Sequence, residues 1–193
     1  MFDTQKAQAA VKMLLEAMGE DVQREGLKDT PRRVAKYWQE LLQGNEYTNE
    51  QIAQMYGKTF IVDSNPLVVK RVNNVYSHCE HHLALMYNMS VVVAYLPQQV
   101  TPGKYQVIGL SKIPRIVDMC SKRLQLQEKL AEDIAQCIML ATGSNDVFVN
   151  IVGDHACVSA RGSKNEGVTD VTCLKGRFLT DGKLRDEIER KRA

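Results

Sequence analysis

The stretch Ser77-His-Cys-Glu-His-His82 gathers three of the chain's four histidines around one of its five cysteines. Farther along, His155 and Cys157 fall at the end of a predicted strand. Thiolate and imidazole are the donors a borderline-soft ion such as zinc prefers. Cys79, His82 and Cys157 would supply three ligands with no obvious fourth, the pattern of a catalytic ion that keeps a position open for water, and so of hydrolysis. Two thiolates neutralise the ion's charge, so its water would be acidified less than at an all-histidine site and nearby bases would have to assist. His81 and His155, beside the ligands but not needed as ligands, are the candidates. His78 reads as a bystander and Glu80 as a local structural carboxylate. The same cysteines and histidines could also serve a structural zinc, a redox pair, or no metal at all.

Basic residues cluster at three separate places. Arg33 and Lys36 are three apart on one predicted helical face, Lys112, Arg115 and Lys122 form a second stripe, and Arg161 follows the second half of the Cys/His set. Solvated charged faces would account for each, whereas convergence would make an anion site. Ser111 and Lys112 stand where a helix should begin, and free amides with a favourable dipole bind phosphate there without a Walker-type glycine loop. Gln127 and Glu128 open the next predicted helix; a carboxylate there can cap the helix or accept hydrogen bonds from a guanine N1–H and 2-amino group.

These groups need a scaffold. A chain of 193 residues, 44% hydrophobic and of net charge +2, suits one core with a small appendage and argues against bulk attraction to nucleic acid. No apolar run approaches a membrane span, and the N-terminal residues lack a signal-peptide pattern, so the expected location is the cytoplasm, with the cysteines as thiols or metal ligands. Apolar periodicity predicts helices over 4–18 and over 30–43, the latter with Thr30 as N-cap and a buried stripe of Val34, Tyr37, Trp38, Leu41 and Leu42. A short third helix is expected over 48–56. Strands are predicted over 59–62, 67–75, 89–96, 107–110, 147–152 and 168–179. Further helices should start at Lys112, with Ser111 as N-cap, run from about 124 to 142, and cover 184–192. The reading is an α+β chain with a helical N-terminal arm over 1–57 and a catalytic unit over 58–193.

Taken together, the blocks Gly19 to Lys36, Cys79-Glu-His-His82, Val107 to Arg115, Leu126-Gln-Glu128 and His155 to Gly162 resemble the GTP cyclohydrolase I family, in family order from about residue 8 to Phe178. The resemblance implies the tunnelling fold, in which ββααββ units assemble into a β-barrel ring. It also implies a homodecamer of two stacked pentamers with active sites shared between neighbouring subunits. It makes Cys79, His82 and Cys157 the zinc ligands and His81 and His155 the proton-transfer residues. Glu128 with Gln127 resembles the pair at the guanine edge, and Ser111, Lys112, Arg115, Arg161, Arg33 and Lys36 the ribose and triphosphate contacts. The implied activity converts GTP to 7,8-dihydroneopterin triphosphate and formate, the first step of pterin and tetrahydrofolate biosynthesis. A same-fold hydrolase that stops at purine ring opening and a non-catalytic zinc-stabilised oligomeric binding protein are the alternatives. The chain departs from the family pattern after the double histidine, where Leu85-Met-Tyr-Asn88 replaces Pro-Phe-x-Gly, and again over 163–173.

Overall fold

The computed structural model describes residues 2–192. Three helices come first: α1 (Thr4–Ala17), α2 (Thr30–Leu41) and α3 (Asn49–Tyr56). Asp3 caps α1 by accepting from the Lys6 N–H, and Gly19, at φ +80°, follows its C-terminal end. The second helix is offset from expectation. Asp29 occupies the N-cap position of α2, Thr30 is already helical, and its hydroxyl donates back to the Gly26 carbonyl. The expected stripe on α2 is only partly covered in the single chain. Ala35 is its one fully buried residue and Tyr37 is exposed, while α1 buries none and leaves Met13, Leu14 and Met18 open.

The remaining chain builds two sheets. Strands β1 (Thr59–Val62), β4 (Gln98–Thr101) and β5 (Lys104–Ile108) form a small antiparallel sheet in the order β1-β5-β4. The larger sheet has the order β6-β2-β3-β7-β8, from β2 (Val68–Cys79), β3 (Leu85–Tyr95), β6 (Leu124–Gln125), β7 (Val147–His155) and β8 (Thr169–Leu174). Helices α4 (Lys112–Ser121) and α5 (Gln127–Thr142) lie on one face, where Ile113, Ile116, Leu130, Ile134 and Ile138 meet Val91, Val93, Val149 and Ile151. On the opposite face Val92, Ala94 and Phe148 pack against Phe178 and Ile188, the latter from α7 (Gly182–Arg192). Burial on both faces explains why residues 91–95 of β3 read as a continuous apolar run rather than an alternation.

Of the elements whose bounds differ from expectation, two do so for a clear local reason. The helix predicted from 124 begins at Gln127, because Leu124 and Gln125 pair in parallel with His78 and Cys79 as strand β6. The strand predicted over 168–179 ends at Leu174. Gly176, at φ +58°, then turns the chain so closely past Asp146 that a Cβ would run into its Oδ1 and the Asn145 carbonyl. That turn starts a 3₁₀ segment, Gly176–Leu179, and drops Phe178 into the second core.

A buried polar network joins the helical arm to this body. Arg123 donates to the carbonyls of Gly44 and Tyr47, to Asn49 Oδ1 at 2.8 Å and to Asp133 Oδ2 at 3.0 Å. Asp133 also accepts from Gln125, Lys129 and Asn49. The arm and the α4/α5 layer therefore share one set of hydrogen bonds.

Candidate active site

The β2–β3 hairpin positions the first half of the Cys/His set. The Cys79 N–H donates to the Ala84 carbonyl at 2.8 Å, and the Leu83 N–H returns to the Cys79 carbonyl at 2.9 Å, closing a tight loop over His81 and His82. Leu83 takes φ +53°, a conformation that costs a side chain with a Cβ about 1–2 kcal/mol. The second half comes from the end of β7, where His155 is the last strand residue and Cys157 lies in the four-residue helix α6 (Ala156–Ser159). Antiparallel pairing of β3 with β7 places Met86 opposite His155 and so brings the two halves together.

The donor atoms of Cys79, His82 and Cys157 all lie within 4.8 Å of one another, close enough to hold one metal ion. Cys79 is buried, Cys157 half-buried and His82 exposed, which leaves one side of the cluster accessible. Burial and the neighbouring Cys79 thiol both push the Cys157 thiol up from its ordinary range. A cation between the two sulfurs would reverse the second effect by stabilising both thiolates. Arg161 donates from Nη1 to His82 Nε2 at 3.2 Å, so this cation stands at the exposed edge of the cluster. The ring of His81 stands edge-on to that of His82, their centroids 6.4 Å apart.

His155 is held from behind. Its Nε2 lies 2.7 Å from Gln127 Oε1, while Gln127 Nε2 donates to the carbonyls of Ile151 and Thr169. Burial lowers the His155 pKa, outweighing the upward pull of the Glu128 and Asp154 carboxylates. Glu128 is exposed in the first turn of α5.

The other expected site residues lie on separate elements. Ser111 occupies the N-cap position of α4, but its side chain makes no capping bond. Lys112 and Arg115 follow on the same helix, and Arg33 and Lys36 are exposed on α2, where Arg33 pairs with Asp29 at 3.5 Å. Among the described residues, no hydrogen bond or ion pair ties these five to Cys79, His82 or Cys157.

A family model described as GTP cyclohydrolase I matches residues 7–192. The chain belongs to the GTP cyclohydrolase I family. It is similar to the GTP cyclohydrolase 1 of Clostridium acetobutylicum, with 47% identity over 189 residues that cover 94% of this chain and 93% of the relative. The GTP cyclohydrolase 1 of Clostridium botulinum strain Kyoto is 47% identical over 186 residues, covering 93% and 92%. That of Clostridium beijerinckii is 44% identical over 192 residues, covering 96% and 94%.

Within this member of the GTP cyclohydrolase I family, the departure at Leu85-Met-Tyr-Asn88 has a simple geometry. Its last residue, Asn88, takes φ +52°, a conformation that asparagine adopts more readily than most residues with a Cβ. Its amide donates to Asp154 Oδ2 at 3.0 Å, next to His155. Two further supports escaped the sequence reading. His78 is buried, outside the Cys79, His82 and Cys157 cluster, and bonded to Tyr37 Oη. Arg123 is a buried link rather than a surface base. Placement of Gly44 and Tyr47 opposite Arg123 is tertiary, so no local pattern announces it.

Proposed function

We propose that the chain is a zinc-dependent GTP cyclohydrolase I that converts GTP and water to 7,8-dihydroneopterin triphosphate and formate, the first step of pterin and tetrahydrofolate biosynthesis. The observation that carries the reading is the cluster of Cys79, His82 and Cys157 with donor atoms within 4.8 Å, beside an oriented His155. Two sulfurs and one imidazole suit zinc better than magnesium or calcium, which take oxygen. Bound there, zinc would activate water toward C8 of the purine.

The chain's own residues do the rest. Glu128, with Gln127 beside it, takes the guanine edge, its carboxylate accepting from N1–H and the 2-amino group. Arg161, Lys112, Arg115, Arg33 and Lys36, with the Ser111 hydroxyl, hold the ribose and triphosphate, where several cations match several negative charges. His155 protonates N7 as the imidazole ring opens, a second hydrolysis frees C8 as formate, and His81 and His155 move protons during ribose opening and the Amadori rearrangement. Ring closure returns one water. The rearrangement moves hydrogens internally, so the reaction needs no redox cofactor.

The phosphate-binding residues converge only in an assembly, a homodecamer of two pentamers with shared active sites. The order β2-β3-α4-α5-β7-β8 supports the ββααββ unit of the tunnelling fold. Strand β8 is a sheet edge, and β6 covers β2 only at His78 and Cys79, so two edges remain for pairing between subunits. The exposed apolar residues of α1 add surface for the same association. Helices α1–α3 then act as the arm of a single structural unit with the catalytic part. Among the described residues no helix is long and apolar enough to cross a membrane, and the thiol chemistry suits the reducing cytoplasm.

The test is GTP turnover by purified protein of known zinc content, with formate and neopterin triphosphate followed together. Equal amounts of both are expected. Formate alone would mean arrest after ring opening, and neither product with zinc bound would overturn the reading in favour of another substrate or a binding role.

A further inference from the structure

Gln127 is 2% exposed at the first position of α5 and spends its whole side chain inside the protein. An amide nitrogen has two hydrogens, and here both have acceptors: the Ile151 carbonyl at 2.8 Å and the Thr169 carbonyl at 3.1 Å. Turning the amide over would set its oxygen against two carbonyl oxygens, so the network fixes which end is which. The amide oxygen therefore faces His155 Nε2 at 2.7 Å, and an acceptor at that distance requires that Nε2 carry a hydrogen. Among the described residues, Nδ1 has no partner. The side chain of Gln127 has no donor left to offer a purine.

From this geometry we infer that Gln127 is a positioning residue: its amide oxygen holds His155 as the Nε2–H tautomer and turns the ring so that Nδ1 is the nitrogen that exchanges protons with substrate. Gln127 acts on the reaction through His155, and the guanine edge is left to the neighbouring Glu128 carboxylate. The strands that flank the site make the arrangement rigid. Ile151 lies on β7 and Thr169 on β8, so the amide bridges two paired strands as it orients the imidazole at the end of one of them. A carboxylate at position 127 would not substitute, because it would turn a second oxygen on the two carbonyls.

This inference rests on the reading of His155 as a proton-transfer group, and two measurements separate the failures. The first needs no turnover: nitrogen-15 spectra of the zinc-loaded protein labelled at histidine, with His155→Ala used to assign one of only four histidines. Long-range proton couplings should place the His155 hydrogen on Nε2, and a hydrogen on Nδ1 in the neutral ring would overturn the inference. The second compares kinetics of Gln127→Met, which keeps length but has no amide, at unchanged zinc content and oligomer size. Mispositioning a general acid should lower kcat by about 100-fold or more while KM for GTP changes less than about threefold. A raised KM with kcat retained would mark Gln127 as a guanine contact and defeat the inference. If the variant does not assemble, the spectrum of the unsubstituted protein still decides. An Nε2–H tautomer without GTP turnover would leave the geometry standing and remove the proposed reaction instead.

Discussion

Tyr37 Oη lies 2.8 Å from Nε2 of His78, the residue that precedes Cys79. The bond spans from α2 to the end of β2, and Trp38 sets its ring edge-on to the same imidazole with centroids 4.7 Å apart. Helix α2 also carries Arg33 and Lys36, so this contact ties an expected phosphate-binding helix to the strand that presents a proposed metal ligand. Removing the hydroxyl in Tyr37→Phe should cost about 1 kcal/mol, the worth of one partly buried hydrogen bond. His78→Ala, which also empties the space beneath Trp38, should lower the melting temperature further. Thermal denaturation checks both, and an unchanged melting temperature in His78→Ala would show that the clamp contributes nothing.

Ligand and proton carrier should separate cleanly by substitution. Cys157→Ala removes one of three clustered donors and should bring zinc content near zero. His155→Ala leaves all three and should retain the metal but lose turnover by at least about 100-fold. Metal analysis and product assay on the same preparations decide. Chelation of the unsubstituted protein should abolish turnover while circular dichroism stays native, since Cys79 is only one member of the extensive apolar core that the sheet shares with helices α4 and α5. Equal metal and equal activity in the two variants would defeat the assignment.

The clustering of Cys79, His82 and Cys157 was legible because few residue types bind soft metals, and the β3–β7 pairing only had to bring two short stretches together. Most helices and buried strands were legible for a similar reason, since period and composition are local, whereas the apolar faces expected of α1 and α2 stay largely uncovered in the single chain. What escaped depends on partners distant in sequence. Arg123 resembles any surface base until Gly44 and Tyr47 place carbonyls against it, and the His78 partner is 41 residues away. Strand β4, Gln-Gln-Val-Thr, is exposed throughout and carries no apolar alternation to mark it. Leu124 and Gln125 look like the start of α5 because their strand character comes wholly from pairing with His78 and Cys79. Gln127 was expected at the guanine edge from its place beside Glu128, but the direction of its amide depends on carbonyls from β7 and β8.

Glu128 offers a test of base recognition. If its carboxylate accepts from both N1–H and the 2-amino group, Glu128→Ala should lower kcat/KM for GTP by about 10- to 100-fold, the range expected for hydrogen bonds to a charged group. Inosine triphosphate lacks the 2-amino group, so the unsubstituted protein should prefer GTP and the variant should lose most of that preference. Steady-state kinetics with both nucleotides measures it. A preference that survives intact in the variant would place guanine selection elsewhere.

The Asp133 network sets a pH dependence whose sign follows from its partners. Burial alone would raise the Asp133 pKa, but hydrogen bonds from Lys129, Gln125 and Asn49 outweigh it and hold the carboxyl below its ordinary value. In the window between the folded and unfolded values the unfolded chain binds more protons, so protonation favours unfolding there. The stabilisation is fully present above the unfolded value of 3.8 and is lost as pH falls through the lower folded value. Glu132, held down chiefly by its hydrogen bond from Lys175, adds to the same acid slope. Thermal melts should therefore change little from this source between about pH 7 and 5 and fall steeply below about pH 4. Asp133→Asn should melt lower at neutral pH, because it removes the charge opposite buried Arg123, and should show a shallower acid slope that Glu132 sustains. Parallel slopes in the two proteins would show that Asp133 does not carry the acid sensitivity.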